Sequence, residues 1–183
     1  MQHSKKRNVI HSIRMDQELE ESLNQEAELK RMTFNSLVNS ILYKHSEFGT
    51  FAERFGFVTI TRNTFQAVVS AIGEDDMDTI ARDISSLALK EFTYFKYKNP
   101  GVKAFIDFLS LLCNYGGLGL FEHKTEGLEH KIILRHNLGT NMSILVGKII
   151  SETMKRLADI EVEITDNSEN EVDIKFKMDP FNL

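Results

Sequence analysis

Apolar and polar residues alternate from Val9 to Met15, with Val9, His11, Ile13 and Met15 on one side and Ile10, Ser12 and Arg14 on the other. That is the period of a β-strand. The next run of strand character lies about forty residues on, so this segment's backbone donors and acceptors have no near partner. A second copy of the chain can supply one. Asp16 then suits a helix N-cap, and Glu18, Glu20 and Glu21 fill the turns where negative charge favours the helix dipole. Leu19, Leu23 and Ala27 recur at helical spacing up to Lys30-Arg31. Thr33 is a second N-cap, followed by Leu37, Val38, Ile41 and Leu42 in a stripe running to about His45. The turn Lys30-Arg31-Met32 holds no glycine, so a left-handed position there strains a residue that carries a side chain. One strand and two helices of this size bury too little to stand alone, which again favours a dimer.

Beyond His45 the stripe is interrupted by Ser46, Glu47, Gly49 and Thr50, and a hinge is predicted through Arg54. Phe57 to Thr61 reads as a strand. Asn63 or Thr64 caps a helix through Phe65, Val68, Val69 and Ile72, stopped at Gly73. Asp76 caps the next, with Met77, Ile80, Ala81 and Ile84 at helical spacing towards Tyr97. Asn99-Pro100 opens a helix through Val102, Phe105, Ile106, Leu109 and Leu112, closed by Gly116-Gly117. Leu118 to Lys124 and Leu128 to His136 form a predicted hairpin joined by Thr125-Glu126-Gly127. A long amphipathic helix from Met142 to Leu157 and a second hairpin, Ile160–Ile164 with Val172–Phe176, complete the chain. The order β-α-α-α-β-β-α-β-β indicates an α+β fold, an antiparallel sheet with helices on one face. The predicted domains are residues 1–48 and 49–183.

Composition narrows the class. The 183 residues are 42% hydrophobic and 27% charged, which excludes a wholly disordered chain. No apolar run exceeds three residues, so no membrane-crossing helix is expected. A single cysteine, Cys113, makes no internal disulfide, which points to the cytoplasm. The net charge of −5 hides an asymmetry: residues 1–14 hold Lys5, Lys6, Arg7 and Arg14 without any acid. A basic extremity on an acidic body suggests a local electrostatic contact, against the plainer alternative of a solvated tail.

The run Ser12-Ile13-Arg14-Met15-Asp16-Gln17-Glu18-Leu19, with Leu23, Ala27 and Thr33-x-x-x-Leu37-Val38, resembles the ribbon-helix-helix DNA-binding module of the Arc, MetJ and CopG type. The resemblance covers residues 5–48. It implies that two subunits pair their strands into one antiparallel ribbon that enters the major groove of double-stranded DNA. Ile10, Ser12 and Arg14 then face the bases. Arg14 carries the planar fork that matches guanine O6 and N7, Ser12 can bond either base type, and Ile10 can touch a thymine methyl. Thr33, Phe34 and Asn35 present amides at a helix start to a phosphate, and Lys5, Lys6 and Arg7 supply salt-dependent attraction.

The remainder offers less chemistry. His123, His130 and His136 with Cys113 invite a metal reading, but His130 and His136 lie six residues apart on one strand, about 20 Å. The predicted hairpin register also sets His130 on the opposite face from His123. No metal and no cofactor is therefore expected. No nucleophile elbow, phosphate loop or dinucleotide fingerprint occurs, and no enzymatic activity is expected. Arg135, His136, Asn137, Gly139 and Asn141 stand at a strand-to-helix crossing suited to a small anionic effector, with a polar turn as the plainer alternative. The expectation is a cytoplasmic, dimeric or higher even-oligomeric DNA-binding transcription regulator, with the larger domain sensing an effector or holding the assembly. The alternatives are an antitoxin-like protein-interaction module, or a small-molecule-binding protein that uses the first module only to dimerise.

Overall fold

The computed structural model describes residues 9–88, 94–98 and 101–179. The chain divides into two compact units, one ending at Glu53 and one beginning at Arg54. In the first, Val9 to Asp16 forms neither a helix nor a paired strand among the described residues. Asp16 is the N-cap of α1 (Gln17–Leu29) by its extended backbone, although its side chain makes no capping bond. Leu37 of α2 (Phe34–Lys44) is fully buried and Ala27 of α1 nearly so. Thr33 caps α2 as expected, its Oγ1 accepting from the Ser36 amide at 3.1 Å.

The α1–α2 turn is a Schellman motif. The Met32 amide donates to the Ala27 carbonyl at 2.9 Å and the Arg31 amide to Glu28 at 3.0 Å. The left-handed residue that this motif requires is Arg31, at φ 53°, where glycine is usual. The hinge expected after His45 is replaced by helix: a π-helical turn spans His45–Gly49 and α3 spans Thr50–Arg54. Gly49 serves that wide turn, since a Cβ there would meet His45 Nδ1 at 2.9 Å, and Thr50 Oγ1 donates to the His45 carbonyl.

In the second unit, Phe57 to Thr61 is exposed and is not a strand. Its alternation joins none of the sheet's strands among the described residues, and Thr61 instead starts the next helix, its carbonyl accepting from the Phe65 amide at 3.0 Å. Thr61 caps α4 (Arg62–Ser70), two residues ahead of Asn63, its Oγ1 accepting from Thr64. α5 (Glu74–Ala88) starts directly after Gly73, ahead of the expected Asp76 cap. A short α6 (Tyr94–Tyr97) precedes α7 (Val102–Asn114), whose expected start at Asn99-Pro100 lies outside the described residues. Then follow β1 (Leu120–Glu126), β2 (Glu129–Arg135), α8 (Thr140–Ala158), β3 (Glu163–Asn167) and β4 (Glu171–Lys177). The sheet is antiparallel in the order β1-β2-β4-β3, which makes the chain α+β.

The first hairpin corrects the expected register. Its loop is two residues, Gly127 and Leu128, with Gly127 at φ 62°, the conformation a tight hairpin turn draws from glycine. Glu126 therefore pairs with Glu129, and His123 with Ile132. The inner face carries Ile132 and Leu134 of β2 against Ile174 and Val172 of β4, all fully buried. Helix α8 packs there at Gly147, where an added Cβ would stand 3.0 Å from Ile164 Cδ1 and 3.7 Å from Val172 Cγ2. Burying that apolar layer supplies most of the unit's stabilisation, roughly 1.5–3 kcal/mol per large side chain. No helix among the described residues is long and apolar enough to cross a membrane.

Arg31→Gly is expected to stabilise the first unit by about 1 kcal/mol, because it removes the left-handed strain while keeping both backbone bonds. Urea unfolding followed by helical circular dichroism measures it. An unchanged or lowered midpoint would show that the Arg31 conformation carries no strain.

Candidate nucleic-acid interface and ligand cavity

The residues expected to meet DNA all lie on the first unit. Ile10 is 94% exposed, and Ser12 and Arg14 are also open to solvent. On the other side of the alternation, Val9 and Ile13 are equally uncovered, at 71% and 61%. At the start of α2, Thr33 and Asn35 are exposed and Phe34 half-buried. Thr33 occupies the Ser36 amide, which leaves the amides of Phe34 and Asn35 at a helix start with no intrahelical carbonyl to bond. Lys5, Lys6 and Arg7 lie outside the described residues.

The larger unit contains a cavity of about 520 Å³. The end of α7 contributes Cys113, the following loop Gly117 and Gly119, the start of β1 Leu120, and α4 contributes Arg62. Arg135, His136, Asn137, Asn170 and Glu171 close the remaining side. The loop runs so near β2 that a Cβ on Gly119 would lie 2.0 Å from the Arg135 carbonyl oxygen. Only glycine fits there.

Of the residues expected to hold an effector, Arg135, His136 and Asn137 line this cavity. Gly139 and Asn141 do not border it. The Asn141 amide instead donates to the carbonyls of Val69, Ser70 and Ile72 at 3.2–3.3 Å, satisfying the end of α4. Arg135 is spent within the sheet: its Nε bonds Glu171 and its Nη1 bonds Glu122 at 2.6 Å. Those contacts hold the Glu122 carboxyl below the usual carboxylate range. His136 is 3% exposed; its Nδ1 accepts from the Leu138 amide, so Nε2 carries the proton that Ser143 Oγ accepts at 3.0 Å. Burial lowers its pKa, consistent with a neutral ring. Cys113 is a buried thiol pushed up to about 12 by desolvation, which makes it a poor nucleophile.

Sequence reading set His123 and His130 on opposite faces; the two-residue turn places them on the same one. His123 Nε2 and His130 Nδ1 lie 3.0 Å apart, and the rings of His123, His130 and Phe176 stack across β1, β2 and β4. Desolvation, then the neighbouring His130, lowers the His123 pKa. Among the described residues, no three His, Cys, Asp or Glu side chains group to hold a metal ion. Arg62 was not singled out from the sequence. Its position directly after the Thr61 cap was the available signal.

No protein-family model matches the chain, and no curated protein matches it. Any functional reading therefore rests on this chain's own residues.

His123 and His136 make stability depend on pH below neutrality. Their folded pKa values lie under the ordinary 6.5, so the unfolded chain binds protons first as pH falls. Stability is full above about pH 6.5 and is lost progressively below it. Denaturant unfolding at pH 7.5 and 5.5 is expected to show this loss, and His136→Gln to reduce it. An identical pH dependence in the variant would contradict the buried neutral assignment.

Proposed function

We propose that the chain is a dimeric, sequence-specific DNA-binding transcription regulator. Two copies pair residues 9–15 into an antiparallel ribbon that reads the major groove, and the larger unit senses an effector or strengthens the assembly. The observation that carries this reading is the segment Val9–Asp16. It forms neither helix nor strand among the described residues and leaves Val9 and Ile13 uncovered directly ahead of a helix–turn–helix. Leu19, Ile41 and Leu42 are also at least 43% exposed, so one copy leaves apolar surface on the same module that a second copy would cover.

In this arrangement Val9, Ile13 and Met15 turn towards the dimer core, while Ile10, Ser12 and Arg14 face the bases. The start of α2 at Thr33, Phe34 and Asn35 meets a phosphate, and Lys5, Lys6 and Arg7 add backbone attraction. Phosphate contacts would fix position and base contacts sequence. The Thr33 cap supports both its structural role and the phosphate role, because it uses only the Ser36 amide.

Selection from random duplexes with the full-length protein tests the reading. A two-fold symmetric sequence is expected, since the ribbon's symmetry is copied into the half-sites. Arg14→Ala is expected to weaken binding to that sequence by about 1–3 kcal/mol and to relax its preference. Replacing Lys5 and Lys6 should lower affinity on all sequences and flatten the salt dependence. Failure to enrich any sequence, or unchanged affinity in Arg14→Ala, counts against the proposal.

A further inference from the structure

The cavity of about 520 Å³ falls within the size of small-ligand sites, and its charges are unevenly matched. Two guanidinium groups reach it. Arg135 is neutralised by Glu122 and Glu171, which also occupies the Glu171 carboxylate. Arg62 has no such partner among the described residues; its Nη2 donates to the Gly117 carbonyl at 3.3 Å. That bond orients the guanidinium and leaves its other N–H donors available, in the planar fork that suits a carboxylate. The rest of the lining is uncharged, with Leu120 and the Cys113 thiol as its apolar part and His136, Asn137 and Asn170 as its polar part.

One unmatched cation beside this uncharged lining selects a single negative charge on a compact organic body. A dianion would meet only one available cation and would stand near Glu171. We propose that this cavity binds a small organic monocarboxylate, its carboxylate on Arg62 and its body against Leu120 and Cys113. This places the anion anchor on Arg62 rather than on Arg135. It rests on the sensing role proposed above only for its consequence, because occupation of the cavity is measured with no DNA present.

The test is calorimetric titration of the full-length protein with acetate, butyrate, hexanoate and benzoate, and with benzamide and inorganic phosphate as controls. Saturable binding is expected to strengthen with the size of the apolar body. Benzamide, and benzoate on Arg62→Gln, are expected to bind at least ~10-fold more weakly, the scale of one lost charge-assisted contact. Arg62→Lys should recover part of the loss. Amide shifts in heteronuclear spectra should centre on Gly117, Gly119 and Asn137, with the melting temperature of unliganded Arg62→Gln near that of the parent. Absence of saturable binding by every carboxylate overturns the proposal. So do equal affinities for benzoate and benzamide, unchanged affinity in Arg62→Gln, or binding by phosphate alone. With a selected duplex added, a carboxylate that fills the cavity yet leaves DNA affinity unchanged overturns the sensing role and leaves the cavity's chemistry standing.

Discussion

Gly127, at φ 62°, closes β1 onto β2 through two residues, and that closure fixes Glu126 opposite Glu129 and every pair beyond it. Because side chains alternate along a strand, a slip by one residue would exchange the two faces of β1. The observed register puts His123 with His130 and Phe176 on the face covered by α8, and Glu122 with Arg135 and Glu171 on the other. The Glu122–Arg135–Glu171 bridge spans three strands because of this register. It also matches the charge of Arg135 with two carboxylates. Arg62, bonded to the loop that Gly119 allows to approach β2, is left as the unmatched cation at the cavity.

Helical periodicity was the most legible part of the sequence. α1, α2, α7 and α8 appear where the apolar stripes placed them, and Thr33 caps α2. The α+β class followed from adjacent hairpins. What failed depended on partners distant in sequence or on small differences in turn geometry. Gly127 serves equally well as the last residue of a three-residue loop or the first of a two-residue turn, and composition does not separate these. Phe57 to Thr61 has strand alternation, yet it joins none of the sheet's strands among the described residues. Gly49 has the composition of a break, but it fits a π-helical turn in which an added Cβ would crowd the His45 ring.

The ligand cavity was half legible. The crossing at Arg135 to Asn141 drew attention through its residue types, and three of its residues do line a cavity. Asn141 was misjudged because its partners are the carbonyls of Val69, Ser70 and Ile72, about seventy residues away along the chain. Arg135 does line the cavity, but its charge is matched by two carboxylates from neighbouring strands that its residue type does not announce. A residue's type announces what it can bond; only the fold decides what reaches it first.

The first unit poses the opposite problem, a surface with too few partners. Residues 9–15 form neither helix nor strand among the described residues and leave Val9, Ile10 and Ile13 exposed. Pairing with a second copy would cover that surface and create the ribbon on which the DNA-reading proposal depends. Electron–electron distance measurement with a spin label on Ser12→Cys, in a Cys113→Ser background, addresses that pairing most directly. Strands in a sheet stand about 5 Å apart, so labels on a two-fold ribbon are expected within about 20 Å of each other. Absence of any such short distance in a folded sample, with or without a selected duplex, would contradict the account.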